Sequence, residues 1–63
     1  MKVIFRMVRE GEKIRIYQTN ADCGVYEADT LFEARKILEE KVDETRKQYG
    51  KKVVIETVEM PNL

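Results

Sequence analysis

The stretch that decides the fold is TLFEARKILEEKVDETRKQYG, residues 30–50. It opens with a T-x-x-E pattern, in which the Thr30 hydroxyl accepts a hydrogen bond from a first-turn amide and the Glu33 carboxylate reaches back to the Thr30 amide. Apolar side chains then recur at spacings of three and four residues, and Gly50 stands where a left-handed residue often ends a helix. The pattern predicts one amphipathic helix over residues 31–49.

Two runs of alternating residues, 3–8 and 12–19, precede this helix and are separated by a glycine. Alternation on both sides of a glycine predicts a β-hairpin. A two-residue turn at Glu10 and Gly11 would fix which residues face each other, whereas a bulged turn would shift the register by one residue. The expected pairs are Met7 with Ile14, Phe5 with Ile16 and Val3 with Gln18 on the core face, and Ile4 with Tyr17, Arg6 with Arg15 and Val8 with Lys13 on the opposite face.

Two further strands are expected, one on either side of the helix. Residues 25–28 follow a polar stretch of turn-forming residues and predict a short third strand. Residues 51–60 are rich in β-branched side chains, and Pro61 ends the run because proline cannot donate to a ladder. With the helix as a crossover, the last strand is expected to lie parallel to one of its predecessors.

These elements together predict the fold class. Residues 1–63 are expected to form a single α+β domain with the element order ββ(β)αβ. One amphipathic helix is expected to pack on one face of a three- to four-stranded sheet.

The composition argues against the commoner kinds of catalysis. The 63 residues include no histidine and no serine, so the usual general base and the serine nucleophile are both missing. The single cysteine, Cys23, has no histidine partner, and the neighbouring Asp22 disfavours its thiolate. One cysteine leaves no intrachain disulfide, which fits a reducing compartment. We therefore expect a non-enzymatic, cytoplasmic protein without a cofactor.

An acidic surface is expected on the helix, where Glu40, Asp43 and Glu44 share one face. Carboxylates on a rigid helix converge less than those of a calcium loop and lack carbonyl ligands, so a metal site is not expected. A solvated face is the simplest interpretation. A second hypothesis is that these acids imitate the phosphates of a nucleic acid and so bind a basic cleft in a partner protein.

The strands carry the opposite charge. The twelve basic and twelve acidic residues cancel, yet the acids concentrate in residues 27–44 and the flanking segments are net basic. Arginines on one side of the hairpin could bind phosphates and a tyrosine could stack on a base, unless Glu56 or Glu59 neutralises the arginines. A nucleic-acid-binding domain is therefore the alternative function. The candidate nucleic-acid contacts are Arg6, Lys13, Arg15 and Tyr17.

A one-helix domain covers only one side of its sheet and leaves the other side free. The uncovered side is expected to expose apolar side chains that a second copy of the chain or another protein would bury. Val8 and either Val54 or Val58 are expected there, unless these are scattered surface residues without a role. The candidate partner-binding residues, on sheet and helix together, are Glu40, Asp43, Glu44, Ile4 and Tyr17.

Nothing in the sequence suggests a membrane as partner. Lys2, Arg6 and Arg9 interrupt the apolar residues at the start of the chain, unlike the continuous apolar core of a signal peptide. No run approaches the length of a membrane span. We therefore expect no membrane association.

The stretch CGVYEADTLFEA, residues 23–34, resembles the segment of HicB-like antitoxins in which a third strand ends at a G-D-T-x-E-E-A-like helix start. The predicted element order is also similar to their small βββαβ domain. The resemblance implies a non-catalytic protein that neutralises a partner, in that family an RNA-cleaving toxin with a dsRNA-binding-like fold. It assigns no toxin-contacting residue to this chain.

The missing catalytic residue types and the separation of an acidic helix from basic strands favour a small intracellular interaction module. We expect it to be antitoxin-like or inhibitor-like, to act by binding and covering a partner protein, and to be capable of forming a homodimer. The residues leave the identity of the partner open.

Overall fold

The computed structural model describes residues 1–20 and 24–63. The strands form one mixed sheet, and the long helix packs against one of its faces. The expected α+β class and the ββ(β)αβ order are confirmed, and the short third strand is present. The elements are β1 (Lys2–Glu10), β2 (Lys13–Gln18), β3 (Val25–Ala28), α1 (Leu31–Tyr49), a 3₁₀ turn (Gly50–Lys52) and β4 (Val54–Glu59).

α1 begins and ends where its capping residues predict. The Thr30 side-chain oxygen accepts a hydrogen bond from the Glu33 amide at 3.1 Å. The Glu33 carboxylate accepts one from the Asp29 amide at 3.4 Å, one residue before the expected Thr30 amide. At the other end Gly50 has a φ of 72°, a conformation that favours glycine, and its amide donates to the Arg46 carbonyl. The helix is therefore fixed at both ends by local sequence.

The sheet has the strand order β3-β2-β1-β4. β1 and β2 form the hairpin, β3 pairs antiparallel with β2, and β4 pairs parallel with β1. α1 carries the chain back to the end of the sheet at which β3 begins. β4 therefore runs in the same direction as β3 and β1. The expected parallel arrangement is confirmed, with β1 as the strand that β4 joins.

The register of the hairpin differs from the expected one. Gly11 and Glu12 form the two-residue turn, one position later than expected, so Met7 pairs with Ile16 rather than with Ile14. Gly11 occupies the first central position with a φ of 66°, and a turn with glycine there has the twist that antiparallel strands need. Every expected pair shifts in the same way, but each side chain keeps its expected face.

The shifted register separates two arginines that were expected to oppose each other. Arg6 faces Tyr17, and Arg15 faces Val8. The predicted pairing of Arg6 with Arg15, and the repulsion it would bring, was therefore wrong. An aromatic ring and an aliphatic side chain stand beside the two cations instead.

The core lies between α1 and the inner face of the sheet, meaning the side that points toward the helix. Alternate residues of β1 and β2 supply its fully buried side chains, as the period-two pattern predicts. These are Val3, Phe5, Met7, Ile14 and Ile16. From the helix, Ala34 is buried, and the partly buried side chains packed against the core include Leu31, Ile37, Leu38, Val42 and Tyr49.

α1 does not lie over the centre of the sheet. Its closest backbone approaches within the sheet are to β2 and β3, and the Asn20 side chain, just after β2, donates to the Tyr49 hydroxyl at 3.3 Å near the end of the helix. β4 lies at the far edge, where Thr57 and Glu59 point toward the helix side yet remain exposed. The helix therefore leaves most of β4 uncovered.

Candidate protein-interaction surface

The outer face of the sheet is the side that points away from α1, and no other described element covers it. Even-numbered residues of β1 and odd-numbered residues of β2 and β3 lie on it, because strand residues alternate between faces. β4 contributes its even-numbered residues through its register with β1. The outer face consists of Lys2, Ile4, Arg6, Val8, Glu10, Lys13, Arg15, Tyr17, Val25, Glu27, Val54, Glu56 and Val58.

One row of side chains crosses all four strands of the outer face. Tyr17 pairs with Val25 on one side and with Arg6 on the other, and Arg6 pairs with Val58. Val25 is 49% exposed and Val58 is 40% exposed. The guanidinium carbon of Arg6 lies 5.9 Å from the centre of the Tyr17 ring. This cross-strand row, Val25–Tyr17–Arg6–Val58, places one cation among three side chains with apolar surface.

Further apolar side chains flank the cross-strand row. Ile4 and Val8 lie on β1 on either side of Arg6 and are half-buried, and Val54 is 57% exposed. Adjacent apolar side chains on an open surface are typical of contact sites for other molecules. The structure therefore brings the sequence-predicted Ile4 and Tyr17 together on one surface.

Most cations of the outer face are held by carboxylates of the same chain. These pairs are exposed, so each stabilises the fold only slightly. Each nevertheless places a carboxylate where a phosphate or a partner's acid would otherwise bind. The pairs are Lys2 with Glu56 at 3.1 Å, Arg15 with Glu10 at 3.6 Å and with Glu27 at 3.3 Å, and Lys13 with Asp29.

Arg6 differs from these cations. It is exposed, and no carboxylate oxygen lies within 4.0 Å of its guanidinium among residues 1–20 and 24–63. Its neighbour is the Tyr17 ring, whose face attracts a cation. The Tyr17 hydroxyl donates to Glu10, which restrains the ring. Arg6 thus stands beside a restrained aromatic ring with its donors available to an external acid.

The carboxylates of the outer face also shift the pKa values of their neighbours. The hydrogen bond to Glu10 raises the pKa of Tyr17 above its usual 10.0. A hydrogen bond with Tyr17 and then the charges of Glu10 and Glu27 raise the pKa of Arg15. Near neutral pH Tyr17 is therefore a neutral donor and Arg15 a cation.

The hydrogen bond between Tyr17 and Glu10 predicts an observable titration. We expect the Tyr17 phenol to ionise above pH 10.0 and Glu10→Ala to bring that pKa back toward 10.0. Because the folded-state pKa is raised, this interaction stabilises the fold fully below about pH 10 and is lost as the pH rises through the folded value. The Cζ shift of ¹³C-labelled tyrosine, followed by NMR, measures it. Glu12→Ala is the control, and equal Tyr17 midpoints in the two variants would contradict the prediction.

The acidic candidates lie on the other layer of the molecule. Glu40, Asp43 and Glu44 are exposed on α1, which packs against the inner face. Glu44 pairs with Lys41 at 3.2 Å, within the helix. The structure does not bring these acids together with the apolar candidates of the outer face. A single partner that contacted both sets would have to reach around the sheet.

The carboxylates that neutralise the sheet differ from those expected. Glu56 lies on the outer face but binds a lysine of β1, and Glu59 points to the helix side, where it binds Arg35 at 3.1 Å. Arg15 is instead held by Glu27, which β3 places directly opposite it. Neither glutamate of β4 therefore neutralises an arginine of the outer face.

Val25 lies on the outer face but was not predicted from the sequence as a contact residue. It becomes part of the cross-strand row only because β3 pairs with β2. The available signal was its alternation with Tyr26, which packs against the core. Alternation within so short a strand is a weak signal.

The geometry limits the chemistry that the described residues can perform. Within residues 1–20 and 24–63, no three potential metal ligands converge and no pocket is found. No helix of that part of the chain combines the length and apolar character needed to cross a bilayer. Cys23, whose reactivity as a thiolate the sequence disfavours, lies outside the described residues. The outer face is therefore suited to contact with another surface rather than to enclosing a small molecule.

The HicB-like resemblance stays a prediction, because no relative tests it. Comparisons with protein-family models, with curated proteins and with solved structures found no match.

Proposed function

We propose that this protein is a small, non-catalytic interaction domain whose outer face covers the surface of a partner protein. The observation that carries the proposal is the cross-strand row, in which Arg6 stands among exposed apolar side chains without a carboxylate among the described residues. A matching partner offers an apolar surface with one carboxylate near its centre. Arginine and tyrosine near the middle of a contact supply much of the energy in many protein interfaces.

Burial by the partner would change what Arg6 contributes. In the free protein its guanidinium is solvated, so an added ion pair gains little. Under a partner, Ile4, Val8 and Val58 would exclude water from the pair, and a hydrogen bond to a charged group is then worth about 1.5–3 kcal/mol. A surface without an acid would leave Arg6 covered and unpaired, which is costly. The domain would therefore select partners that present an acid at that point.

A domain that acts by covering a surface fits an antitoxin-like or inhibitor-like role. The resemblance of residues 23–34 to HicB-like antitoxins supports this role, as does a sequence without histidine or serine. The single cysteine supports an intracellular location, because the chain has no second thiol for an internal disulfide.

Nucleic-acid binding is the alternative, and the charge arrangement supports it less well. Among the candidate contacts, Lys13 and Arg15 have carboxylate partners and the Tyr17 hydroxyl donates to Glu10, which leaves Arg6 alone. A chain with twelve basic and twelve acidic residues has no net attraction for phosphates. Binding to a nucleic acid would therefore depend on very few free cations.

The test is capture of a partner followed by measurement of its affinity with purified proteins. We expect Arg6→Glu to weaken binding of the captured partner more than tenfold, because truncating one side of a buried charge pair costs about 2–5 kcal/mol. Arg46→Glu, an identical change on the exposed side of α1, is expected to alter binding less than twofold. Isothermal titration calorimetry measures both, and circular dichroism checks that both variants fold.

Two outcomes would contradict the proposal. A partner that binds Arg6→Glu normally but is lost on combining Glu40→Lys with Glu44→Lys would place the contact on the acidic helix. Binding of single-stranded RNA or DNA oligonucleotides at low ionic strength, weakened by salt and by Arg6→Ala, would favour the nucleic-acid alternative.

A further inference from the structure

β4 forms an open edge of the sheet. The Val54 amide donates to the Met1 carbonyl at 2.8 Å, and the Met60 amide donates to the Met7 carbonyl at 3.0 Å. Even-numbered residues of β4 therefore bond to β1, and the alternation of a strand turns the backbone groups between them to the other side. The residues whose amides and carbonyls point to the free edge are Ile55, Thr57 and Glu59.

This edge has only part of the usual protection of exposed strands. Natural sheets blunt their edges with charged side chains, above all lysine, with proline or with a covering element. β4 has the sequence VIETVE, without lysine or proline, and its two glutamates are paired with Lys2 and Arg35 of the same chain. The backbone of α1 lies closer to β2 and β3. The tail after β4 turns back toward β1, where the Asn62 side chain donates to the Arg9 carbonyl at 3.4 Å. None of the described elements covers the free edge.

We infer that β4 pairs antiparallel with β4 of a second copy of the chain. The two-fold axis passes perpendicular to the sheet between the two Thr57 residues, so the interface is the same patch on both copies. The two sheets become one continuous sheet, with both helices on the same side. In this register Thr57 faces Thr57, Ile55 faces Glu59, Glu56 faces Val58 and Val54 faces Met60.

Charge and hydrogen bonding select this register. With Thr57 on the axis, every glutamate faces an uncharged residue, and the outward amides and carbonyls of both strands bond to one another. Centring the pair on Glu56 would oppose two carboxylates. Centring it on Val58 would place Pro61 opposite Ile55, and proline has no amide to donate. Centring it on Ile55 would pair only Val54–Glu56 of the two strands. The register centred on Thr57 therefore uses most of β4 without opposing two carboxylates.

The outer face is a poorer site for self-association. Arg6 lies on a central strand of that face, so a two-fold contact centred on the cross-strand row would bring the two arginines together. Pairing through β4 leaves both outer faces free. The inference therefore does not depend on the proposed function, and each can fail without the other.

Opposite charges placed across the two-fold axis test the register. Thr57→Lys and Thr57→Glu should each raise the dimer dissociation constant more than tenfold, because each opposes two like charges at the centre of the pair. An equimolar mixture of the two variants should restore the dimer as a heterodimer. Analytical ultracentrifugation over a range of concentrations measures all three samples and the unmodified chain.

The controls separate this interface from the outer face. Gln48→Lys, an exposed change on α1, and Arg6→Glu, on the outer face, are both expected to leave the dimer intact. Circular dichroism confirms that the variants fold, and restoration in the mixture confirms it independently. A chain that stays monomeric up to millimolar concentration would overturn the inference. A dimer that persists in Thr57→Lys, or a mixture that stays monomeric, would do the same.

Discussion

Phe5→Ala is expected to lower the free energy of unfolding by about 3–5 kcal/mol, because it removes a fully buried ring and leaves a cavity. A chain of 63 residues has about 3–9 kcal/mol of stability in total, at about 0.05–0.15 kcal/mol per residue. The substitution should therefore remove a large share of the stability of the fold. Urea denaturation followed by circular dichroism measures the change, with unfolding of the unmodified chain as the reference.

The second phenylalanine of the chain provides the matched control. Phe32 is 71% exposed on α1, so Phe32→Ala removes the same ring from solvent rather than from the core. We expect its effect to stay within about 0.5 kcal/mol, as for most surface substitutions. Similar losses of stability in the two variants would contradict the assignment of the core to the space between α1 and the inner face.

Val53→Asp is expected to be nearly as damaging, for a different reason. Val53 is 6% exposed and belongs to the core, so the new carboxylate would be buried without a partner. An uncompensated buried charge costs about 3–5 kcal/mol when it stays ionised. The loss should be smaller at low pH, where the carboxylic acid is neutral. Urea unfolding of the variant and of the unmodified chain at pH 4 and at pH 7 measures the loss in the free energy of unfolding at each pH.

The adjacent valine is the control for this substitution. Val54 is 57% exposed on the outer face, and Val54→Asp should cost less than about 1 kcal/mol. Two neighbouring residues of one type thus differ because one points into the core and the other away from it. A larger loss at Val54 than at Val53 would contradict the placement of Val53 in the core and of Val54 on the outer face.

The local elements could be predicted from the sequence because their signals are local. Thr30 and Gly50 cap α1 with their own side chain and backbone, and Leu31–Tyr49 are the bounds that the pattern predicts. The alternation of β1 likewise predicted which side chains, Phe5 among them, are buried. Each of these features depends on neighbours within a few positions.

The register and the lateral position of the helix could not be predicted in the same way. A sequence of glutamate, glycine and glutamate does not decide whether Gly11 takes the first or the second central position of the turn. Because the turn lies one position later than expected, the cross-strand partner of Arg6 is Tyr17 and not Arg15. The approach of α1 to β2 and β3 depends on packing across the whole core, which no local pattern encodes.

The candidate site likewise combines features that local sequence predicts with features that depend on distant residues. Ile4 and Tyr17 could be placed on the uncovered side by alternation alone. That Arg15 is neutralised and Arg6 is not follows from Glu27 on β3, whose pairing with β2 had to be known first. The charge pattern of a sheet surface therefore depends on strand neighbours that are distant in sequence.

The ladder between β1 and β4 also bears on how the chain folds. It places Lys2 beside Val54, so it cannot form until the chain has been made through β4 and has closed into a loop. The hairpin and the helix need only local contacts and can form much sooner, because closing a long loop costs more entropy. During synthesis β1 therefore waits with an unpaired edge until β4 arrives. That interval is when the nascent chain is most open to pairing with a wrong strand.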